Sequence, residues 1–188
     1  MEELKLITSF PKNIIYLILS IAFVILLASL LHFAYKFSKE STFVGILTPV
    51  NESIWEHLKL AMYPTTLWYI IYFLIFKNNQ SLDIKSLFAQ CTSSILISII
   101  IVVTFYYTYT GALGIHSLIL DILSLVLGTS FGQTFSFIYF NKHDVTNINI
   151  YIALYVIMSV LFTLFTFIPP KLPIFLDPET KTYGIKSI

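Results

Sequence analysis

The sequence is poor in charge. Only 11% of its 188 residues are charged, whereas 57% are hydrophobic. A soluble domain needs about 25% charged residues to cover its surface with groups that water solvates. Because this chain has far fewer, most of its surface must face lipid. The composition therefore predicts an integral membrane protein, with the lipid bilayer as its first partner and room for one compact membrane domain.

Arginine is absent, and all eleven basic residues are lysine. The guanidinium fork that binds phosphate or carboxylate in a bidentate way is therefore missing. Together with a net charge of only +1, this argues against a nucleic-acid partner. Cysteine is limited to Cys91, which excludes an internal disulfide and a multi-cysteine metal site. Heavy use of Ile, Phe, Tyr and Lys is typical of AT-rich bacterial genomes, so we expect a multi-pass protein of the bacterial inner membrane.

Recognisable catalytic motifs are missing as well. The chain has no HExxH zinc helix, no Walker loop and no GxSxG elbow. The protein families that these motifs define are therefore excluded. The remaining signs of function are clusters of polar residues inside an apolar chain.

Long apolar runs predict five membrane-spanning helices, each near the roughly 20 residues that cross a hydrocarbon core about 30 Å thick. The expected spans are residues 14–33, 60–76, 87–109, 112–140 and 148–168. The fourth run holds Gly128 and Gly132 in a GxxxG pattern, which allows helices to pack closely. A turn at these glycines would give six spans instead, although the second arm, 131–140, is too short to cross alone.

The resulting fold prediction is an all-α helix bundle in the membrane, with an interfacial helix before the second span. Residues 43–50 are expected to form a loop or a re-entrant piece, because Gly45 and Pro49 interrupt a short apolar run. Residues 1–168 would form a single transmembrane domain. Residues 169–188 would follow as an extended, proline-rich tail.

The stretch VNESIWEHLK, residues 50–59, gathers an unusual number of polar side chains. Asn51 is a suitable N-cap, and Ser53 with Glu56 forms a capping-box pattern one turn later. We therefore expect a helix over 51–59 that starts at the membrane surface and runs on into the second span.

Two interpretations of this helix are open. As an interfacial helix it would place Trp55 among the lipid headgroups and its charges in water. As a site it would direct Glu52 and Glu56, four residues apart on one face with Lys59, into a cavity beside His57. Close carboxylates raise one another's pKa, and such a pair suits proton or metal chemistry.

A second polar cluster lies in the fourth span. Asp121 sits in an otherwise apolar run, where an unpartnered carboxylate is costly. Ser117, Asp121 and Ser124 fall on one helix face, His116 precedes them and Gln133 follows later. This face either serves helix packing, with Asp121 bonded to a serine or a tyrosine, or forms part of a functional site.

Two strings in the chain resemble a known family. TPVNESIWEHLKLAMYP, residues 48–64, and PPKLPIFLDPETKTYG, residues 169–184, are similar to segments of an uncharacterised family of small bacterial membrane proteins, classed as a domain of unknown function. Its pattern is an NES-x-WEH-x-K core and a D-P-x-T-x-x-Y-G ending. The resemblance covers nearly the whole chain and implies a polytopic membrane protein. It implies no activity, cofactor or site residue.

The first function hypothesis is a membrane-embedded, metal-dependent hydrolase that acts on a lipid or a membrane-delivered substrate. Its catalytic groups would be Glu52, Glu56 and Asp121. Its cofactor would be a divalent metal such as zinc, bound by His57 and His116. The polar cavity would be built by the 51–59 helix and the 116–133 span. Its further lining candidates are Asn51, Ser53, Lys59, Ser117 and Gln133.

Two alternatives belong to other functional classes. A small proton- or ion-coupled transporter or channel would use Asp121 and the glutamates as its titrating path, with a homo-oligomer to supply the missing internal symmetry. An accessory subunit would instead dock on a membrane partner protein through the NESIWEH helix and the proline-rich tail.

Overall fold

Most of the chain is helical in the computed structural model, which describes residues 2–78 and 82–185, with side chains from residue 14 onward. Across these residues there are seven α-helices: α1 Glu2–Phe37, α2 Thr42–Leu47, α3 Ile54–His57, α4 Lys59–Phe76, α5 Ile84–Leu113, α6 Leu118–Phe140 and α7 Ile148–Phe167. A short 3-10 helix, Pro173–Phe175, follows, and the described part of the chain contains no strand beyond an isolated bridge between Leu176 and Tyr183. The predicted all-α class is confirmed.

Five helical segments in the described chain are long and apolar enough to cross a membrane. They are Ile14–Phe37, Ile54–Phe76, Ile84–Leu113, Leu118–Phe140 and Ile148–Phe167. The run 112–140 supplies a single span, so the five-span prediction is confirmed and the six-span alternative is wrong. The architecture indicates a multi-pass membrane protein.

Three local expectations differ from the structure. Residues 43–47 of the expected loop or re-entrant piece belong to the short helix α2. The helix expected over 51–59 begins only at Ile54. The loop left between the predicted second and third spans, residues 77–86, ends at Asp83, whose carboxylate accepts the N–H groups of Lys85 and Ser86 in the first turn of α5. Residues 79–81 of that loop and 186–188 of the tail lie outside the described residues.

The spans alternate in direction, so each connection lies at one of the two ends of the bundle. The connections after α1 and α5 and the segment after α7 share one end, which we call the tail end; there Ile185 N–H donates to Thr166 O at 2.9 Å. The connections after α4 and α6 share the opposite loop end, where the Ser86 hydroxyl donates to Phe140 O at 3.3 Å.

Helices α5 and α6 pack most closely, at the GxxxG pattern. A Cβ added to Gly132 would stand 2.5 Å from Ser94 O, and one added to Gly128 would stand 2.9 Å from Ser98 O. The approach also allows hydrogen bonds between the helices, because the Ser98 hydroxyl donates to Gly128 O at 3.0 Å and the Ser94 hydroxyl donates to Gly132 O at 3.2 Å. The predicted role of this pattern in close packing is confirmed.

The tail folds back onto the tail end of the bundle. The Trp55 ring packs on Phe175 and Phe162, with ring centroids 4.8 Å and 5.0 Å apart. Asp177 is buried and accepts hydrogen bonds from the N–H groups of two residues that follow it, which closes a compact turn. Gly184 adopts a φ of +58°, in the left-handed region where glycine meets no Cβ penalty. The segment proposed to dock on a partner is thus anchored on its own chain; the partner itself stays a prediction.

Candidate metal centre

The polar stretch 50–59 begins its helix at Ser53, not at Asn51. Ser53 has the extended backbone of an N-cap, and its hydroxyl accepts a hydrogen bond from Glu56 N–H at 3.4 Å. The Asn51 side chain lies before the helix and accepts Ser53 N–H at 2.9 Å. Glu52 is therefore outside the helix while Glu56 is inside it, so the prediction that the two carboxylates share one helix face is wrong.

Glu56 and Lys59 form a buried ion pair. The Lys59 Nζ lies 2.6 Å from Glu56 Oε2, and both residues are almost completely removed from solvent. Lys59 Nζ also donates to the carbonyl oxygens of Gly45, at 2.7 Å, and Thr48, at 3.2 Å. Each of the three N–H donors of the ammonium group is thus matched by one of three surrounding acceptors.

Both oxygens of the Glu56 carboxylate accept hydrogen bonds as well. Its Oε2 accepts Val50 N–H at 3.1 Å, and its Oε1 accepts the Thr166 hydroxyl at 3.1 Å. Together with the Lys59 bond, these contacts tie the loop after α2, the start of α4 and the end of α7 to one buried carboxylate. Buried charges are tolerated when every donor and acceptor is matched. Glu56 was predicted to be catalytic and Lys59 to line a cavity; both lie at a buried junction between helices, and these roles stay predictions.

Glu52 instead faces two histidines. One ligand atom from each of His32, Glu52 and His57 lies within 4.8 Å of the other two. The His57 Nε2 is 3.4 Å from Glu52 Oε2, and the ring centroids of His32 and His57 are 5.1 Å apart. The three side chains are half-buried, between the end of α1 and the start of α3. They form the one His/Asp/Glu/Cys group within metal-binding reach among residues 14–78 and 82–185.

The orientation of His57 suits a ligand. Its Nδ1 lies 2.9 Å from Ser53 O, a contact in which Nδ1–H donates to the carbonyl. The Nε2 then either carries a second proton toward Glu52 or presents its lone pair to a metal. Histidines that bind metals almost always hold the ring in this way, through a hydrogen bond from the nitrogen that does not bind the ion.

The charge around Glu52 keeps it ionised. Its hydrogen bond with His57 holds the pKa of the Glu52 carboxyl below its ordinary value, against the opposing effect of partial burial. Lys36 Nζ adds a weaker interaction at 3.9 Å from Glu52 Oε1, and the lysine side chain is 74% exposed. An ionised carboxylate with two imidazoles is a donor set that zinc prefers.

The three donors fit a metal ion after modest adjustment. Zinc bonds of about 2.0–2.2 Å place tetrahedral ligand atoms about 3.3 Å apart. The Glu52–His57 separation is already close to that value. Side-chain rotation of His32 and Glu52 would complete the set, and three protein ligands would leave the fourth position of a tetrahedral ion open.

The second polar cluster lies at the same end of the bundle but in other helices. The Tyr109 hydroxyl donates to Asp121 Oδ1 at 2.6 Å, which is the tyrosine partner expected for a packed carboxylate. Asp121 is also close enough to His57 to act on it electrostatically. Ser117 stands at the N-cap position of α6 without a side-chain capping bond, and its N–H makes a long contact of 3.5 Å with the Tyr109 hydroxyl.

His116 and Gln133 lie away from the three-residue cluster. His116 is exposed, with its Nδ1 3.2 Å from the Tyr106 hydroxyl, and it does not belong to the His32–Glu52–His57 group. Gln133 lines a cavity of about 300 Å³ at the loop end, and no residue of 50–59 lines that cavity. Gln133 therefore lies in a cavity that the 51–59 segment does not line, which differs from the predicted shared cavity. Asn51 donates its amide to Gly184 O at 3.0 Å and serves the tail.

His32 is the candidate ligand that sequence reasoning missed. It lies 25 residues before His57, and its place at the end of an apolar span is typical of an interfacial side chain. The available signal was topological, since the end of the first span and the start of the second must meet at the same membrane surface.

The chain belongs to a family of unknown function, DUF6512, whose family model matches residues 5–185. This match agrees with the resemblance noted in the sequence, and the family brings no activity with it. No curated protein matches the chain. No solved structure matches it either.

Proposed function

We propose that the protein binds a divalent transition metal, zinc in the first place, at His32, Glu52 and His57, and uses it as a membrane-embedded hydrolase. The observation that carries the proposal is the approach of two imidazoles and a carboxylate to within 4.8 Å of one another at the membrane surface. Two histidines and one glutamate are the ligand set of several hydrolytic zinc enzymes, which keep their fourth position for water.

The bound metal would supply a Lewis acid and a water acidic enough to attack at neutral pH. Glu52 would act as a ligand in this arrangement, and the Asp121 carboxylate, bonded to the Tyr109 hydroxyl at the same end of the bundle, would carry a proton. Glu56 is assigned a structural role in this proposal, because both of its oxygens accept hydrogen bonds within the bundle. The position of the cluster favours a lipid or another substrate delivered through the membrane.

Metal content tests the binding step. Protein purified in detergent, loaded with zinc and washed should retain about one zinc per chain. His32→Ala, His57→Ala and Glu52→Gln should lose most of it. His116→Ala and His143→Ala serve as controls, because both histidines are exposed and lie outside the cluster, and they should retain wild-type zinc. Equal loss in the control variants would refute the site.

Turnover tests the hydrolytic step separately. The zinc-loaded protein would be incubated in liposomes of mixed phospholipids, and products released by ester or phosphodiester cleavage would be measured by mass spectrometry. Product that appears with zinc and disappears after chelation or in Glu52→Gln supports a hydrolase. Retained zinc without product from any lipid would remove the hydrolase and leave a metal-binding protein.

The second candidate is proton- or ion-coupled transport. It is favoured by Asp121, a carboxylate in the fourth span that is bonded to Tyr109 and acts electrostatically on His57. Proteoliposomes tested with protons and a panel of cations should then show flux above empty vesicles, and Asp121→Asn should abolish it.

We infer a bacterial inner-membrane location from the composition, and fractionation of a native host would test it.

A further inference from the structure

A cavity of about 300 Å³ opens at the loop end, on the opposite membrane face from the metal centre. Helices α1, α4, α5 and α6 contribute its walls, and its rim is formed at the start of α5 and after α6. Ligand pockets begin at about this size. At about 30 Å³ per water, the space equals roughly ten water molecules.

The buried part of the cavity holds an amide that lacks a partner. Gln133 is 2% exposed and lines the cavity. Its Oε1 accepts the Tyr69 hydroxyl at 3.1 Å, but its Nε2 has no hydrogen-bond partner among the residues that the structure describes. An unmatched buried donor is costly, and more than nine in ten buried polar groups avoid that state. An acceptor atom of a ligand inside the cavity would satisfy this donor.

The wall and rim have a different chemistry. Tyr16, Trp68 and Tyr72 line the wall, and the rings of Tyr16 and Tyr72 meet edge to face at 5.9 Å. Two exposed carboxylates, Asp83 and Asp144, stand at the rim. Asp83 also caps α5. Aromatic rings and carboxylates together attract organic cations, above all ammonium groups.

We propose that this cavity binds a small organic ammonium compound that carries an oxygen acceptor a few bonds from its nitrogen, as choline and ethanolamine do. The ammonium group lies among the aromatic rings near Asp83 and Asp144, and the oxygen accepts a hydrogen bond from Gln133 Nε2. The same chemistry is present in a free solute and in a phospholipid headgroup. The site is separate from the metal centre and does not depend on the proposed function.

Equilibrium binding tests the proposal on the full-length protein in maltoside detergent. Radiolabelled choline and ethanolamine are titrated as free solutes, and a short-chain phosphatidylcholine is added in a second arm. Saturable binding of the free amine that the lipid does not displace identifies a soluble ligand. Binding or displacement by the lipid identifies a headgroup. Either result supports the site.

Matched variants locate the binding. Asp144→Asn, at the exposed rim, and Gln133→Met, which removes the unmatched donor, should each weaken binding about tenfold or more. Glu40→Gln makes the same charge change on an exposed residue at the opposite end and should leave binding unchanged. Because Asp144 is exposed, its variant folds even if Gln133→Met does not. No binding of either amine, free or lipid-borne, at millimolar concentration would overturn the proposal, as would an equal loss in Glu40→Gln.

Discussion

Lys59 Nζ and Glu56 Oε2 lie 2.6 Å apart, in a place where neither side chain reaches solvent. The pair is surrounded by backbone groups of the loop between α1 and α3 and by the Thr166 hydroxyl of α7. Residues 45–59 and Thr166 of α7, which is 110 residues beyond Glu56, therefore meet on two charges. This arrangement accounts for much of the polar stretch VNESIWEHLK without any chemistry.

Removal of one partner of this pair should be severely destabilising. Lys59→Met leaves the Glu56 carboxylate buried without its counter-charge, which costs about 3–5 kcal/mol in the free energy of unfolding. Glu56→Gln should cost a similar amount. The double variant should cost less than the sum of the two, because it leaves no isolated charge. Denaturant unfolding in detergent micelles measures all three.

Lys142→Met is the matched control, since Lys142 is exposed in the loop between α6 and α7. It should change the free energy of unfolding by no more than about 0.5 kcal/mol. Additive single and double effects at positions 56 and 59 would contradict the ion pair.

The contact between α5 and α6 predicts a different sensitivity. Gly132→Ala places a Cβ 2.5 Å from Ser94 O, a backbone atom that cannot rotate away, so the helices must separate. We expect a loss of about 1–3 kcal/mol in stability, typical of overpacking. Gly111→Ala is the control, because a Cβ there meets nothing within 4 Å. It should stabilise α5 by up to about 1 kcal/mol; a loss equal to that of Gly132→Ala would refute the close approach.

Glu52 predicts a pH dependence for the metal-free protein. Its hydrogen bond with His57 holds the folded-state pKa of the carboxyl below the ordinary value of 4.5. Ionised Glu52 therefore stabilises the fold fully above about pH 4.5, and this contribution is lost as the pH falls through the folded-state pKa. Glu52→Gln should be less stable than the wild type near neutral pH, and the gap should narrow in acid. Unfolding in a chelating buffer across this range measures it; a gap that widens in acid would refute the assignment.

The sequence allowed the spans to be predicted well, because each is an apolar run of sufficient length bounded by polar residues. The boundaries and the polar stretch were harder. Asn51 and Ser53 are both good N-caps by residue type, but the Asn51 amide donates to Gly184 O, 133 residues away. Local propensity cannot report such a long-range bond.

The same limit applied to the candidate site. Spacing on an ideal helix put Glu52 and Glu56 together, and that inference failed when the helix began after Glu52. The partner of Glu56 was three residues away, within reach of sequence reasoning, whereas the partners of Glu52 include His32 on another helix. Cavity residues such as Gln133 could be noted as polar residues in a span, but not assigned to an end or a ligand.

The measurement that tests the central claim most directly is X-ray absorption at the zinc edge of the loaded, washed protein. The account predicts two imidazole nitrogens at about 2.0 Å and one carboxylate oxygen in a four-coordinate site. Most of the zinc signal should disappear in His32→Ala, and none of it should disappear in His116→Ala. An unchanged spectrum in His32→Ala, or a shell of oxygen atoms alone in the wild type, would contradict a metal centre at His32, Glu52 and His57.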